Sequence, residues 1–113
     1  MGDNRDYLTH PEEMGSIHIS EEVLASIASG AVSEVEGISG LMNITGKKTS
    51  TKGVRLQMDE EGATIDVYVM IRFGYAIPDV AEKIQTNVAS SVEAMTGFTV
   101  KAVNVHVGGV SVQ

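Results

Sequence analysis

Apolar residues recur along this chain with two different spacings. Between residues 24 and 35 they return every three or four positions, which is the spacing of a single buried face on a helix. Between residues 63 and 73 they alternate with polar residues, which is typical of a strand with one face in the core and one in solvent. Extending the same reasoning to the rest of the chain predicts elements in the order β-α-β-β-β-α-β.

The first predicted helix follows a short alternating strand at residues 17–19 and ends at Gly37. Ser20 is a good N-cap, and Glu21 and Glu22 fall in the first turn, where carboxylates favour the helix dipole. The buried stripe consists of Leu24, Ile27, Ala28, Ala31, Val32 and Val35. A second face of small residues, which would let another backbone approach closely, consists of Ala25, Ser26, Ser29, Gly30 and Ser33.

Three strands are predicted between the helices, at residues 37–44, 54–58 and 63–75, with a turn at residues 59–62. The third has the clearest pattern. Its inward-facing set is predicted to be Ile65, Val67, Val69, Ile71 and Phe73, with Phe98 of the last strand also facing inward.

The second helix is predicted to start at Pro78 and to end at Gly97. Its buried side consists of Val80, Ala81, Ile84, Val88, Val92 and Met95. In the last strand the inward parity changes near Lys101, which predicts a β-bulge. Gly108 and Gly109 are interpreted as the turn that ends this strand.

These elements predict a single α+β domain at residues 16–113, in which two helices pack on one face of a mixed sheet, preceded by a flexible leader at residues 1–15. The other face of the sheet stays partly polar. It is predicted to present Arg55, Gln57, Tyr68, Met70, Arg72, Asn104 and His106 to a partner.

Composition narrows the class of protein. With 113 residues and 42% hydrophobic content, the chain suffices for one core. It has no cysteine, so disulfides, thiolate metal sites and a cysteine nucleophile are excluded. No apolar run approaches the roughly 20 residues of a membrane helix, and the N-terminus is too polar for a signal peptide. We therefore expect a cytoplasmic protein that does not insert into the membrane by itself.

The net charge of −7 disfavours binding to nucleic acid and to anionic lipid. Four of the eight Lys and Arg residues, Lys47, Lys48, Lys52 and Arg55, nevertheless fall within residues 47–55. This patch is interpreted as a solvated hairpin loop, with contact to an anion or a partner as the alternative. With no Trp, two Phe and three Tyr, the chain also lacks a stacking platform for single-stranded RNA.

Candidate catalytic and cofactor sites are scarce. The acidic residues cluster in the leader, at a helix start and in a turn, where carboxylates ordinarily occur. His18 and His106, with Asp66 nearby, would form a zinc or nickel site only if the first and last strands paired. The two glycines after His106 do not match a phosphate-binding loop, because no lysine and helix follow them. No catalytic residue, cofactor or metal ligand is therefore predicted.

Taken together, several segments resemble the alkaline shock protein family of envelope stress response proteins from Gram-positive bacteria. The most specific pieces are "GSIHISEEV" at 15–23, "VEGISG" at 35–40, "YAIPDVAEKIQ" at 75–85 and "MTGFTVKAVNVHVGGV" at 95–110. The resemblance implies a non-enzymatic cytoplasmic protein of cell-envelope homeostasis and alkaline stress tolerance. It also implies that some members are held at the membrane by small integral membrane proteins, and that others are tied to control of lipid synthesis.

Two hypotheses follow from the sequence. The first is a protein–protein interaction module that forms homo-oligomers or docks on a protein partner through the polar sheet face, the lysine-rich segment or the small-residue helix face. The second is a ligand- or metal-responsive regulator of fatty-acid synthesis.

Overall fold

The computed structural model describes residues 7–12, 14–42 and 53–112. The described residues form two helices and six strands, which follow one another as β1 (Tyr7–Glu12), β2 (Gly15–Ser20), α1 (Glu21–Ser33), β3 (Ile38–Leu41), β4 (Val54–Asp59), β5 (Gly62–Arg72), α2 (Ile77–Thr96) and β6 (Val100–Ser111). The predicted α+β class and element order are confirmed. The one addition within the described residues is β1, in a segment where the sequence shows no periodicity.

β5 lies at the centre of the main sheet. β6 pairs with one edge of β5 in parallel, whereas β4 and β3 pair antiparallel with the other edge, one after the other. The change of partner occurs at Tyr68, whose N–H donates to the carbonyl of Gly53 and whose carbonyl accepts from the N–H of Met42, both at 2.8 Å. The predicted mixed sheet is therefore confirmed.

β6 contains two register shifts against β5. The first leaves Lys101 without a partner position, so the β-bulge predicted from the change of parity is confirmed. The second skips Gly108, because Val107 is paired with Val69 and Gly109 with Met70. The prediction that Gly108 and Gly109 end the strand is wrong, since β6 continues to Ser111.

The two helices cover one face of this sheet and enclose the core. Ser20 caps α1 by accepting a hydrogen bond from the N–H of Val23 at 3.2 Å. Alternate residues of β5 point into the core and are fully buried, as the pattern predicts. The core consists of Leu24, Ala25, Ala28, Ala31, Val32, Val35, Val54, Ala63, Ile65, Val67, Val69, Ile71, Val80, Ile84, Val88, Val92, Phe98 and Val103.

Three local predictions need correction. α1 ends at Ser33, and Gly37 lies beyond the following turn with φ of 102°, where a Cβ atom would come within 2.9 Å of the Tyr75 ring. Phe73 is 73% exposed because β5 has already ended at Arg72. Met95 is 69% exposed, because in the last turns of α2 it lines the open groove between the two helices and is not enclosed in the core.

β1 and β2 form a separate antiparallel hairpin, in which Thr9 lies opposite His18. β2 is not paired with β6 in the described residues, so the pairing that a site between His18 and His106 requires is not formed. His18 instead contacts the hydroxyl of Thr9 through its Nδ1 at 3.2 Å. The boundary between leader and domain at residue 15 stays a prediction, although residues 7–12 are strand in this structure.

Candidate functional site

Five side chains form a connected group on the sheet face opposite the helices. They come from the three strands that run side by side there, and we call them the outer-face cluster: Arg55, Asp66, Tyr68, Asn104 and His106. Their positions follow from register, because β5 residue Asp66 lies opposite both Arg55 of β4 and Asn104 of β6, and Tyr68 lies opposite His106.

The rings of Tyr68 and His106 stack on each other. Their centroids are 4.3 Å apart and their planes differ by 9°. The guanidinium carbon of Arg55 lies 5.9 Å from the centroid of the Tyr68 ring, within the range of a cation–π contact. Tyr68 is thus held between a ring and a cation, which restricts its rotamers and presents a preformed aromatic surface.

Asp66 connects the cluster to β6. Its Oδ1 accepts a hydrogen bond from Nδ2 of Asn104 at 3.1 Å and lies 3.1 Å from Nε2 of His106, which donates in the tautomer that carries a proton there. The Asp66 side chain is only 18% exposed. One carboxylate oxygen therefore orients two side chains of the neighbouring strand.

Arg55 has the least complete hydrogen bonding of the cluster's side chains. Its Nε is buried and has no hydrogen-bond partner in the described part of the chain. A buried donor without an acceptor is unfavourable, and most such groups in folded proteins are paired. The outer-face cluster therefore has an unused hydrogen-bonding position beside its aromatic stack.

Methionines adjoin the stack on the side toward the end of β5. The glycines of β6 leave room for them, since a Cβ on Gly109 would lie 3.0 Å from Cε of Met70, and one on Gly108 would collide with Met42. Arg72 is exposed at the end of β5. The surface around Tyr68 is therefore part aromatic, part thioether and part cationic.

The structure brings some of the predicted interaction residues together on this face. Among the predicted interaction residues, Arg55, Tyr68 and His106 are in contact and Met70 adjoins them, while Arg72 lies toward the far end of β5. Lys47, Lys48 and Lys52 lie outside the described residues. Sequence reasoning missed the role of Asp66 as the shared acceptor, because only the register of β5 against β6 shows which residues lie beside it.

A second surface lies between the helices, as a groove of 580 Å³. Ser26 and Gly30 of the predicted small-residue face line it, whereas Ala25 is buried in the core. The remaining lining residues are Glu22, Val23, Ile27, Ala31, Glu34, Ser91 and Met95.

The strongest charge effects lie away from the outer-face cluster. Lys101 Nζ lies 2.6 Å from Oδ2 of Asp59, and this hydrogen bond lowers the pKa of Asp59 and raises the pKa of Lys101. At the other end of the sheet, a hydrogen bond to Glu36 raises the pKa of Tyr75. Within the described ranges, no group of three or more His, Asp and Glu residues is placed to hold a metal ion.

Comparison with known proteins places the chain in a family. The model of the alkaline shock protein 23 family, described by a cell envelope-related function, matches residues 9–112. The chain belongs to this family. It is 34% identical over 105 residues to YqhY of Bacillus subtilis (strain 168), with 86% of this chain and 78% of YqhY covered. It is 39% identical over 105 residues to Spy1535 of Streptococcus pyogenes serotype M6, with 88% of this chain and 81% of Spy1535 covered.

Solved structures of MamM CTD variants share the fold of this family member. One variant aligns with a TM-score of 0.51 at 15% identity and covers 78% of this chain and 93% of its own. Another, in a nickel form, aligns with a TM-score of 0.51 at 14% identity and covers 78% of this chain and 96% of its own. No helix among the described residues is both long enough and apolar enough to span a membrane.

Proposed function

We propose that this family member is a non-enzymatic interaction module of the cell-envelope stress response, which associates with itself or with a protein partner through the outer-face cluster. The observation that carries this proposal is the ordered Arg55–Tyr68–His106 arrangement on a sheet face that neither described helix covers. Tyr and Arg are enriched at interfaces, and they are also frequent among the residues that dominate binding energy.

Electrostatics and hydrogen bonding support the same proposal. Arg55 would gain charge-assisted hydrogen bonds if a partner placed a carbonyl or carboxylate against its guanidinium group. Pre-stacked rings lose little conformational entropy on binding, which favours affinity for the same contact area. The partner surface expected here is therefore apolar with at least one hydrogen-bond acceptor near Arg55.

The cell envelope-related function of the family supports a place for this module near the membrane. We propose that the protein is cytoplasmic and that one class of partner is a small integral membrane protein that anchors it. The resemblance to alkaline shock proteins supports a role in alkaline or general envelope stress.

Capture of partners tests the proposal. The tagged chain and its Tyr68→Ala variant would be expressed in Bacillus subtilis, crosslinked in cells and purified from the membrane and soluble fractions. Gln57→Ala is the matched control, because Gln57 is exposed and lies on the same sheet but outside the outer-face cluster. We expect specific partners, including further copies of the chain, to be recovered with the parent and the control and to fall at least tenfold with Tyr68→Ala.

Two results would contradict the proposal. If neither copies of the chain nor other proteins are recovered, and light scattering shows a monomer at high concentration, the protein does not work as an interaction module. If partners are recovered equally with Tyr68→Ala and with the parent, the module acts through another surface, and the outer-face cluster is structural.

A further inference from the structure

The outer edge of β6 is a long strand edge without a described partner strand. β6 runs for 12 residues and pairs only with β5 among the described strands. Such an edge presents a row of main-chain N–H and C=O groups, and natural proteins ordinarily cover or blunt it. This edge is therefore a feature that needs an explanation.

Among the described residues, side chains of α2 cover the beginning of this edge and leave the rest open. The N–H of Val100 donates to the carboxylate of Glu93 at 2.8 Å, and Nε2 of Gln85 donates to the carbonyl of Val103 at 3.1 Å. Between Asn104 and Ser111, no described side chain bonds to the outer main-chain groups. The uncovered segment is eight residues, 104–111, which is long enough for a stable strand pair.

The uncovered segment also lacks the usual protective residues. From Ala102 to Val112 there is no Asp, Glu, Lys, Arg or Pro, although such residues make up the common defence of exposed edges. The bulge at Gly108 is the one irregularity in this stretch. A neutral, valine-rich edge in a chain of net charge −7 is a surface on which two copies meet without repulsion between like-charged side chains.

Main-chain orientation indicates how two copies would meet. The carbonyl of Val103 points to the free edge, where it accepts from Gln85, so the groups of Val105 and Val107 point the same way by alternation. Beyond the bulge, the carbonyl of Ser111 points to the β5 side, where it accepts from Phe73 at 2.7 Å, so the groups of Val110 point to the free edge.

We propose that β6 pairs antiparallel with β6 of a second copy of this chain, about a two-fold axis between Val107 and Gly108. Val105 of one copy then lies opposite Val110 of the other, both on the helix-covered face and both with main-chain groups aimed across the edge. His106 lies opposite Gly109, so the imidazole stacked on Tyr68 faces a residue without a side chain, beside which the Met70 thioether lies. The contact covers Val110, which is 44% exposed in the single chain.

In this dimer, the outer-face clusters of the two copies lie close to each other. A two-fold axis perpendicular to the sheet keeps the outer faces of both copies on the same side, so two Tyr68–His106 stacks flank the axis on one continuous sheet. The inference rests on the proposed function, in that it names a second copy of the chain as one partner and the free edge as its contact. A different partner would then bind the doubled face.

The test compares two exposed valines near the end of the chain. Val110→Pro removes an edge N–H inside the proposed pair, whereas Val112→Pro makes the same change just beyond β6, at a residue that is 85% exposed. Analytical ultracentrifugation across protein concentration would measure the dimer dissociation constant. We expect Val110→Pro to raise it at least tenfold and Val112→Pro to leave it within twofold of the parent.

A cysteine pair provides a second test that does not depend on the folding of a proline variant. The chain has no native cysteine, so an equimolar mixture of Val105→Cys and Val110→Cys chains reports directly on the proposed register under mild oxidation. We expect a disulfide-linked heterodimer. Val112→Cys in place of Val110→Cys should give little of it.

The outcomes separate this inference from the proposed function. A dimer that persists in Val110→Pro, with no preference for the Val105–Val110 crosslink, overturns the β6 contact while self-association stands. A monomer at all concentrations up to roughly 1 mM, a weak limit for a specific contact, overturns the inference as well. In both cases the capture of partners by the parent chain and by its Tyr68→Ala variant tests the proposed function independently.

Discussion

Alternate residues of β5 point to the two faces of the main sheet, and these faces differ in how completely their side chains are packed and hydrogen-bonded. On the helix-covered face, Ile65, Val67 and Val69 of β5 are fully buried. On the outer face, Asp66 and Tyr68 contact polar and aromatic side chains, and the Nε of Arg55 is left buried without a partner in the described chain. The first face is therefore closely packed within one chain, whereas the second keeps an unsatisfied donor among the described residues.

The largest expected effect is on the covered face. Ile65→Ala should lower the free energy of unfolding by about 3 kcal/mol, because it removes buried methylene groups and leaves a cavity that close-packed neighbours fill only in part. Urea denaturation would measure the change, with Thr64→Ala on the opposite face as the control. A loss below about 1 kcal/mol would show that this face is loosely packed and would weaken the contrast.

An intermediate effect is expected within the outer-face cluster. Asp66→Ala should cost about 1 kcal/mol, because it removes the acceptor shared by Asn104 and His106 while both donors can turn to solvent. Denaturation curves for this variant and for Asp66→Asn would be compared, since the amide keeps the shape and one acceptor oxygen. If Asp66→Ala lowered the free energy of unfolding as much as Ile65→Ala, the outer face would contribute as much to stability as the core does.

A smaller, pH-dependent effect is expected at the Asp59–Lys101 pair. The hydrogen bond lowers the pKa of Asp59 below its ordinary value of 3.8, so its contribution is present above that value and is lost as pH falls through the folded-state pKa. The pKa of Lys101 is raised above 10.5, so the contribution is present below pH 10.5 and is lost at still higher pH.

Thermal unfolding of the parent and of Asp59→Asn would test this predicted pH dependence of stability. The difference in melting temperature should be steady between about pH 5 and pH 9, shrink at both extremes, and fall with added salt, since the pair is exposed. A difference that grew below the ordinary pKa of Asp59 would contradict the assigned direction.

The smallest effect is expected at Phe73, which belongs to neither face. Phe73→Ser should change the free energy of unfolding by less than about 0.5 kcal/mol, because the side chain is 73% exposed. Denaturation would test this against Phe98→Ser, a change at a residue that is 9% exposed and that should be strongly destabilising. Equal losses in the two variants would show that Phe73 is buried in solution.

Much of the covered face follows from local sequence. The alternation in β5, the stripe in α1, the cap at Ser20 and the bulge at Lys101 were all predictable, because each depends on side-chain period or on groups within a few residues. The errors at Gly37, Phe73 and Met95 lie where elements end, because the apolar pattern in the sequence extends past the point at which the helix or strand stops or is covered.

The outer-face cluster was predictable only as a set of outward-facing residues. The alternation along each strand identified Tyr68, His106 and Arg55 as outward-facing. It did not show that Tyr68 contacts the other two or that Asp66 contacts His106. The contacts of Asp66 with Asn104 and His106 join residues 38 and 40 positions apart, and their geometry depends on the bulge at Lys101, which sets the register of this part of β6.

By itself, the sequence determined the α+β class, the faces of β5, the absence of cysteine chemistry and the resemblance to alkaline shock proteins, because these follow from period, composition and motif. Only the tertiary structure decided that β3 and β4 share one edge of β5 and that β6 occupies the opposite edge. It also decided that, among the described residues, the outer edge of β6 has no partner strand and the Nε of Arg55 has no acceptor. The physical reason is that strand order and register arise from long-range pairing, which local side-chain pattern constrains only to the correct face.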